Sequence, residues 1–124
     1  MSHILGSADL AKFIDYQFMR AELTRSELER LVEEAARTGV YGVIVPPNML
    51  PITAPEGIVV ASAVGFPSGN HRLDIKVAEA RQAVADGARE IDLVIDVGLA
   101  KERRFDAVRA EVEAIRAVVP RPLV

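Results

Sequence analysis

A chain of 124 residues with 50% hydrophobic and 27% charged content is long enough to bury a core and too apolar to be disordered. Its net charge of -3 and isoelectric point near 5.4 argue against a basic surface for nucleic acid or an anionic membrane. The absence of cysteine removes disulfides, thiol catalysis and thiolate metal sites, and His3 and His71, the only histidines, form no ligand spacing, so no metal is expected.

The first residues lack a basic region followed by a long apolar run, and no segment approaches ~18 consecutive apolar residues, so a cytoplasmic protein is expected. Residues 7–12 suit a short opening helix capped by Ser7. Residues 13–19 alternate, with Asp15 and Gln17 on one face and Ile14, Tyr16 and Phe18 on the other, as in a first strand. Thr24 and Glu27 form a capping box, Leu28, Leu31, Val32, Ala35 and Ala36 follow at helical spacing, and Gly39 is placed to end that helix. A buried strand is predicted over 41–45, stopped by Pro46 and Pro47, then a proline-rich loop with room for one helical turn.

A third strand is predicted over 58–64, followed by the turn GFPSGN. The turn matches neither the dinucleotide fingerprint nor the P-loop pattern and reads as a strand-to-helix connection. The next helix presents Leu73, Val77, Ala80 and Val84 on one face, and Gly87 ends it. Residues 90–96 read as a fourth strand, with Asp92 set among Ile91, Leu93, Val94 and Ile95. Alternation sends Asp92, Val94 and Asp96 to one face, which puts Asp92 deep in the strand and alone, and Asp96 near its C-terminal end. At that spacing the two lie about 13 Å apart, too far to work as one pair of carboxylates. Asp92 is either a buried structural acid or a catalytic one. The last helix aligns Phe105, Val108, Val112, Ile115 and Val119, and residues 122–124 begin a fifth strand.

Strands alternating with helices imply right-handed βαβ units and a parallel sheet. A full (β/α)8 barrel takes about 250 residues. The expected architecture is therefore a single α/β domain over 1–124, the (βα)4 half of a TIM barrel behind a short N-terminal helix. Alternation is read as lining its inner face with the acids together with Val43, Val45, Val60, Val64 and Val94.

Ile14-Asp15 on the first strand, EEAARTGVYGVIVPPNM around the second, VGFPSGN with the later Lys76 and Glu79-Ala80, and GAREIDLVIDVG followed by GLAKERRFDAVRAEVEAI resemble deoxyribose-phosphate aldolase. The resemblance runs from about residue 9 to the last residue, in the order and spacing of the first half of that TIM-barrel family. It implies a class I aldolase that joins acetaldehyde to glyceraldehyde 3-phosphate through a lysine Schiff base, with no metal or other cofactor. It implies that Asp92 serves the proton relay, that Asp15 lies at the base of the pocket, and, more weakly, that Gln17 and Asp96 meet substrate.

The chain departs from the family where members read I-D-H-T-L-L-K-P and it reads Ile14-Asp15-Tyr16-Gln17-Phe18-Met19-Arg20-Ala21. Ile44 stands where cysteine is common, and Asp96 where asparagine is frequent. The family's Schiff-base lysine, second lysine and phosphate loops correspond to positions beyond residue 124. Of the lysines present, Lys12 and Lys76 read as solvated charges, and Lys101 as a loop lysine on the C-terminal side of the fourth strand. The expected partners are a small phosphorylated sugar or aldehyde if the barrel is completed, and a second copy or a complementing half-barrel. The alternative is a non-catalytic, self-associating (βα)4 module, degenerate or designed.

Overall fold

The computed structural model describes residues 6–120. Four strands, β1 (Asp15–Gln17), β2 (Gly42–Val45), β3 (Val59–Val64) and β4 (Glu90–Leu93), pair in parallel in the order β1-β2-β3-β4. Sequential strands are spatial neighbours, joined by a helix from β1 to β2 and from β3 to β4 and by the proline-rich loop from β2 to β3, so among the described residues β1 and β4 are both edges. The fifth strand expected at 122–124 lies outside the described residues.

Helix α1 (Ser7–Ala11) starts one residue earlier than a Ser7 cap would allow: Gly6 is the cap residue, and its N–H donates to the Asp9 carboxylate at 3.2 Å. Helix α2 (Arg25–Thr38) begins at the capping box. The Glu27 N–H donates to Thr24 Oγ1 at 3.3 Å, and the Thr24 N–H returns a bond to Glu27 Oε2 at 2.9 Å. Gly39, at φ +71°, closes the helix in the left-handed conformation that glycine adopts without penalty. The proline-rich loop contains one 3-10 turn, Pro47–Met49.

Two apolar clusters hold the helices to the sheet. Leu28, Val32 and Ala35 of α2 pack on Val43, Val45 and Val60; Ala80 of α3 (Leu73–Ala85) and Ile115 of α5 (Phe105–Val118) pack on Val64. This corrects the expectation that Val43, Val45, Val60 and Val64 line the inner face. The register pairs Asp15 with Gly42, Ala61 with Glu90 and Ala63 with Asp92. Register partners point the same way, so the acids share their face with Gly42, Ile44, Val59, Ala61 and Ala63, and the valines one position away meet the helices.

Both acid-bearing strands are shorter than expected. Residues 13 and 14 belong to the turn after α1, where Phe13 N–H and Ile14 N–H bond back to Leu10 and Ala11 carbonyls. β4 ends at Leu93 because β3 ends at Val64, and Gly65, at φ +71°, turns the neighbouring chain away. With no ladder to continue, Asp96 begins the short helix α4 (Val97–Lys101) instead of extending the strand. The buried stripe of α3 is Lys76, Ala80 and Ala83 rather than one containing Leu73, which is exposed, and on α5 it is Glu111 and Ile115, followed by the buried cap residue Val119, with Phe105 and Val112 exposed.

Candidate active site on the open face of the sheet

The helix-free face of the sheet mixes small residues with Ile44 and Val59 between its edge strands. Between the edge strands lie Gly42, Ala61 and Ala63, which leave room above the backbone for the side chains of β1 and β4. Gly42 is required here: a Cβ would stand 2.7 Å from the Val59 carbonyl oxygen and 2.8 Å from Asp15 Oδ1. The Asp15 carboxylate thus leans over the bare backbone of β2. Gln17 lies further along β1 on the same side, exposed like Asp15.

Across the sheet, Asp92 shares this face with Asp15, so the sequence-derived placing of both inward is met. Its placing deep and alone is not. Asp92 is exposed on the helix-free face, and Glu90 lies on the same face one pleat below. Electrostatics tie the three acids together. The Asp92 carboxyl is held above its ordinary value of 3.8, first by burial of the carboxyl against the sheet and then by the negative charges of Asp15 and Glu90. Asp15 is raised as well, again mainly by burial and then by Glu90. A carboxylate among carboxylates without a facing cation favours its protonated form. Such a group keeps its proton to a higher pH than an ordinary aspartate does.

Glu90 and Tyr41 were not singled out by the sequence reasoning. The Tyr41 hydroxyl donates to Glu90 Oε1, reaching from the start of β2 past β3 to β4, and this bond raises the phenol's own pKa. The available signal was parity: Glu90 stands two residues before Asp92. Asp96 is not on this face in strand register. Its Oδ1 accepts from the Leu99 N–H at 3.1 Å and caps α4. Lys101, at the end of that helix, is exposed.

Lys76 overturns its reading as a solvated charge. It is completely buried, and its ammonium donates to the Val94 carbonyl and to Glu111 of α5. The signal in the sequence was a pair of opposite charges on the buried stripes of consecutive long helices. A groove of about 460 Å³ opens at the C-terminal ends of β1 to β3, lined among others by Arg20, Asn48, Phe66 and Glu79. Among the described residues no group of three or more acidic or histidine side chains is arranged to hold a metal ion, and no helix is long and apolar enough to cross a membrane.

No family model matches the chain. It is 46% identical over 114 residues to a deoxyribose-phosphate aldolase of Corynebacterium diphtheriae, covering 92% of this chain and 52% of the relative. To the enzyme of that name from Mycobacterium tuberculosis it is 48% identical over 111 residues, 89% of this chain and 50% of the relative. The chain thus spans about half the length of the curated relatives it matches. Among solved structures, the aldolase QR15 superposes with a TM-score of 0.82 at 32% identity, covering 90% of this chain and 52% of that one. The tetrameric deoxyribose phosphate aldolase of Aeropyrum pernix gives 0.76 at 27% identity, over 92% of this chain and 49% of the other. Four parallel strands with these neighbours are half of a TIM barrel, and over that span the chain is homologous to deoxyribose-phosphate aldolases.

Proposed function

We propose that these 124 residues form the proton-handling half of a deoxyribose-phosphate aldolase active site, with the Schiff-base lysine and the phosphate-binding loops supplied by sequence outside them. The observation that carries this reading is the raised carboxyl of Asp92, which shares the helix-free face of the sheet with Asp15 and feels its charge. In the reaction, a lysine amine adds to the aldehyde carbonyl. The carbinolamine then loses its hydroxyl as water when an acid supplies a proton, which leaves the iminium. Asp92, protonated to a higher pH than an ordinary aspartate, is that acid; its carboxylate takes the proton back when the step reverses. Asp15 acts indirectly, since its charge helps to keep the Asp92 proton in place. Gln17, exposed on the same face, is assigned to substrate. Asp96 already spends one oxygen on its cap and has the other for a substrate hydroxyl.

The test is complementation. The chain alone, treated with acetaldehyde and borohydride, should show no stoichiometric lysine adduct. Mixed with the remaining half of the Mycobacterium tuberculosis relative, it should cleave deoxyribose 5-phosphate and be trapped on the added half. Stoichiometric trapping at Lys101 of the chain alone would overturn this assignment.

A second reading, self-association, has its own support in the two sheet edges that are unpaired among the described residues and in Phe13, Ile14 and Tyr16, which are 76%, 49% and 40% exposed at or beside β1. Unpaired edges and apolar surface favour association. In this reading the chain forms a homodimer or higher oligomer that buries upwards of about 1,000 Å² in total. Sedimentation equilibrium at micromolar concentration should then show more than a 13.5 kDa species. A folded monomer would remove this reading.

A further inference from the structure

Behind the C-terminal ends of β3 and β4, α3 and α5 hold a lysine and a glutamate where neither reaches water freely. Lys76 is completely buried and Glu111 is 5% exposed. The Lys76 ammonium donates to the Val94 carbonyl at 2.9 Å and to Glu111 Oε1. The other oxygen of that carboxylate accepts from the Asp96 N–H at 3.0 Å. Two backbone groups on either side of Ile95 are therefore held by opposite charges brought from two different helices. The Asp96 side chain passes the constraint on, through its bond from Leu99 N–H, to the start of α4.

The surrounding chain is fitted to this arrangement. A Cβ on Gly65 would stand 2.9 Å from Lys76 Cε, and one on Gly69 would stand 2.0 Å from the Ile95 carbonyl oxygen. The turn after β3 thus lies directly on the lysine stem and on the loop after β4. Glu79, one turn along α3 from Lys76, accepts from the Gly65 N–H at 2.7 Å and fixes that turn in the same way. The Val94 carbonyl and the Asp96 N–H lie beyond the last strand pairing, at Leu93, so the sheet offers them no partner and a buried backbone polar group needs one.

We propose that Lys76 and Glu111 are positioning residues. They form a clamp on the backbone of residues 94–96 that holds the loop after β4, and with it the end of the strand carrying Asp92, in place. A buried ion pair is a poor source of net stability, because desolvation of both charges offsets their attraction and apolar residues of similar volume serve the core as well or better. What apolar residues cannot supply is a donor for one backbone group and an acceptor for another. The importance of the loop rests on the aldolase reading; the clamp does not.

Two double variants of the 124-residue chain test it by amide hydrogen exchange, without substrate. Lys76→Met with Glu111→Leu should melt at or above the parent's temperature, while the Asp96 and Leu99 amides exchange at least about ten-fold faster and the Val45 amide is unchanged. Lys76→Glu with Glu111→Lys keeps both charges but sets a carboxylate against the Val94 carbonyl and an ammonium against the Asp96 N–H. It should leave the same two amides unprotected. Parent-level protection at Asp96 and Leu99 in either variant, or failure of the apolar variant to fold, would make the pair an ordinary structural ion pair and overturn the proposal. Neither result bears on whether complementation yields an aldolase.

Discussion

The two faces of the sheet handle acidic side chains in opposite ways. On the helix side, Glu111 is buried, and each of its oxygens has a partner, a lysine and a backbone N–H. On the open side, Asp15, Glu90 and Asp92 gather with a tyrosine hydroxyl, and the Asp15 and Asp92 carboxyls are pushed upward with no lysine or arginine among the causes. The helix side meets the ordinary requirement of a packed interior, that buried polar groups be satisfied. Among the described residues no buried side-chain nitrogen or oxygen lacks a partner. The open side accumulates like charge, which costs stability and gives nothing to packing. Such a concentration is expected where protons are exchanged with a substrate.

Breaking one half of the buried pair should have the largest effect. Lys76→Met alone strands the Glu111 carboxylate in the core, and the chain should lose about 3–5 kcal/mol of stability in urea unfolding. A loss below about 1 kcal/mol would mean that water reaches Glu111 and that the contrast between the faces is overstated. In a complemented barrel, Asp92→Asn should lower kcat by about 10²-fold with a much smaller change in KM, since an amide cannot relay the proton. Near-normal turnover in a folded complex would return Asp92 to a structural role.

The smallest effect is on stability, and its sign is the informative part. The folded-state pKa of Asp92 lies above the ordinary 3.8, so the stability linked to its protonated form is fully present below that value and is lost as pH rises through the raised one. Asp92→Asn should therefore raise the urea midpoint slightly at pH 7 and leave it unchanged at pH 3. Asp15→Asn should behave the same way, for the same reason. A variant that lost stability at pH 7 would show that a cation faces the acids in solution.

Much of the fold was legible because its signals are local. The Thr24–Glu27 capping box, Gly39 as the helix stop, the apolar run of β3 and the single turn at Pro47–Met49 each depend on residues a few positions apart. Period-two alternation within one strand also sufficed to put Asp15 with Gln17 and to keep Asp92 away from the helices. Alternation fixes only relative facing inside a strand, however, and which valines of β2 and β3 share a side with the acids is a matter of register between strands. That register follows from Asp15 pairing with Gly42, a contact 27 positions long. The end of β4 was likewise decided by its neighbour: β3 turns away at Gly65, so Asp96 becomes a helix cap. Lys76 is the clearest case. Read alone, a lysine on a helix is a solvated charge, and only tertiary structure brings a carboxylate from 35 residues further along, with a backbone carbonyl, to make its burial affordable.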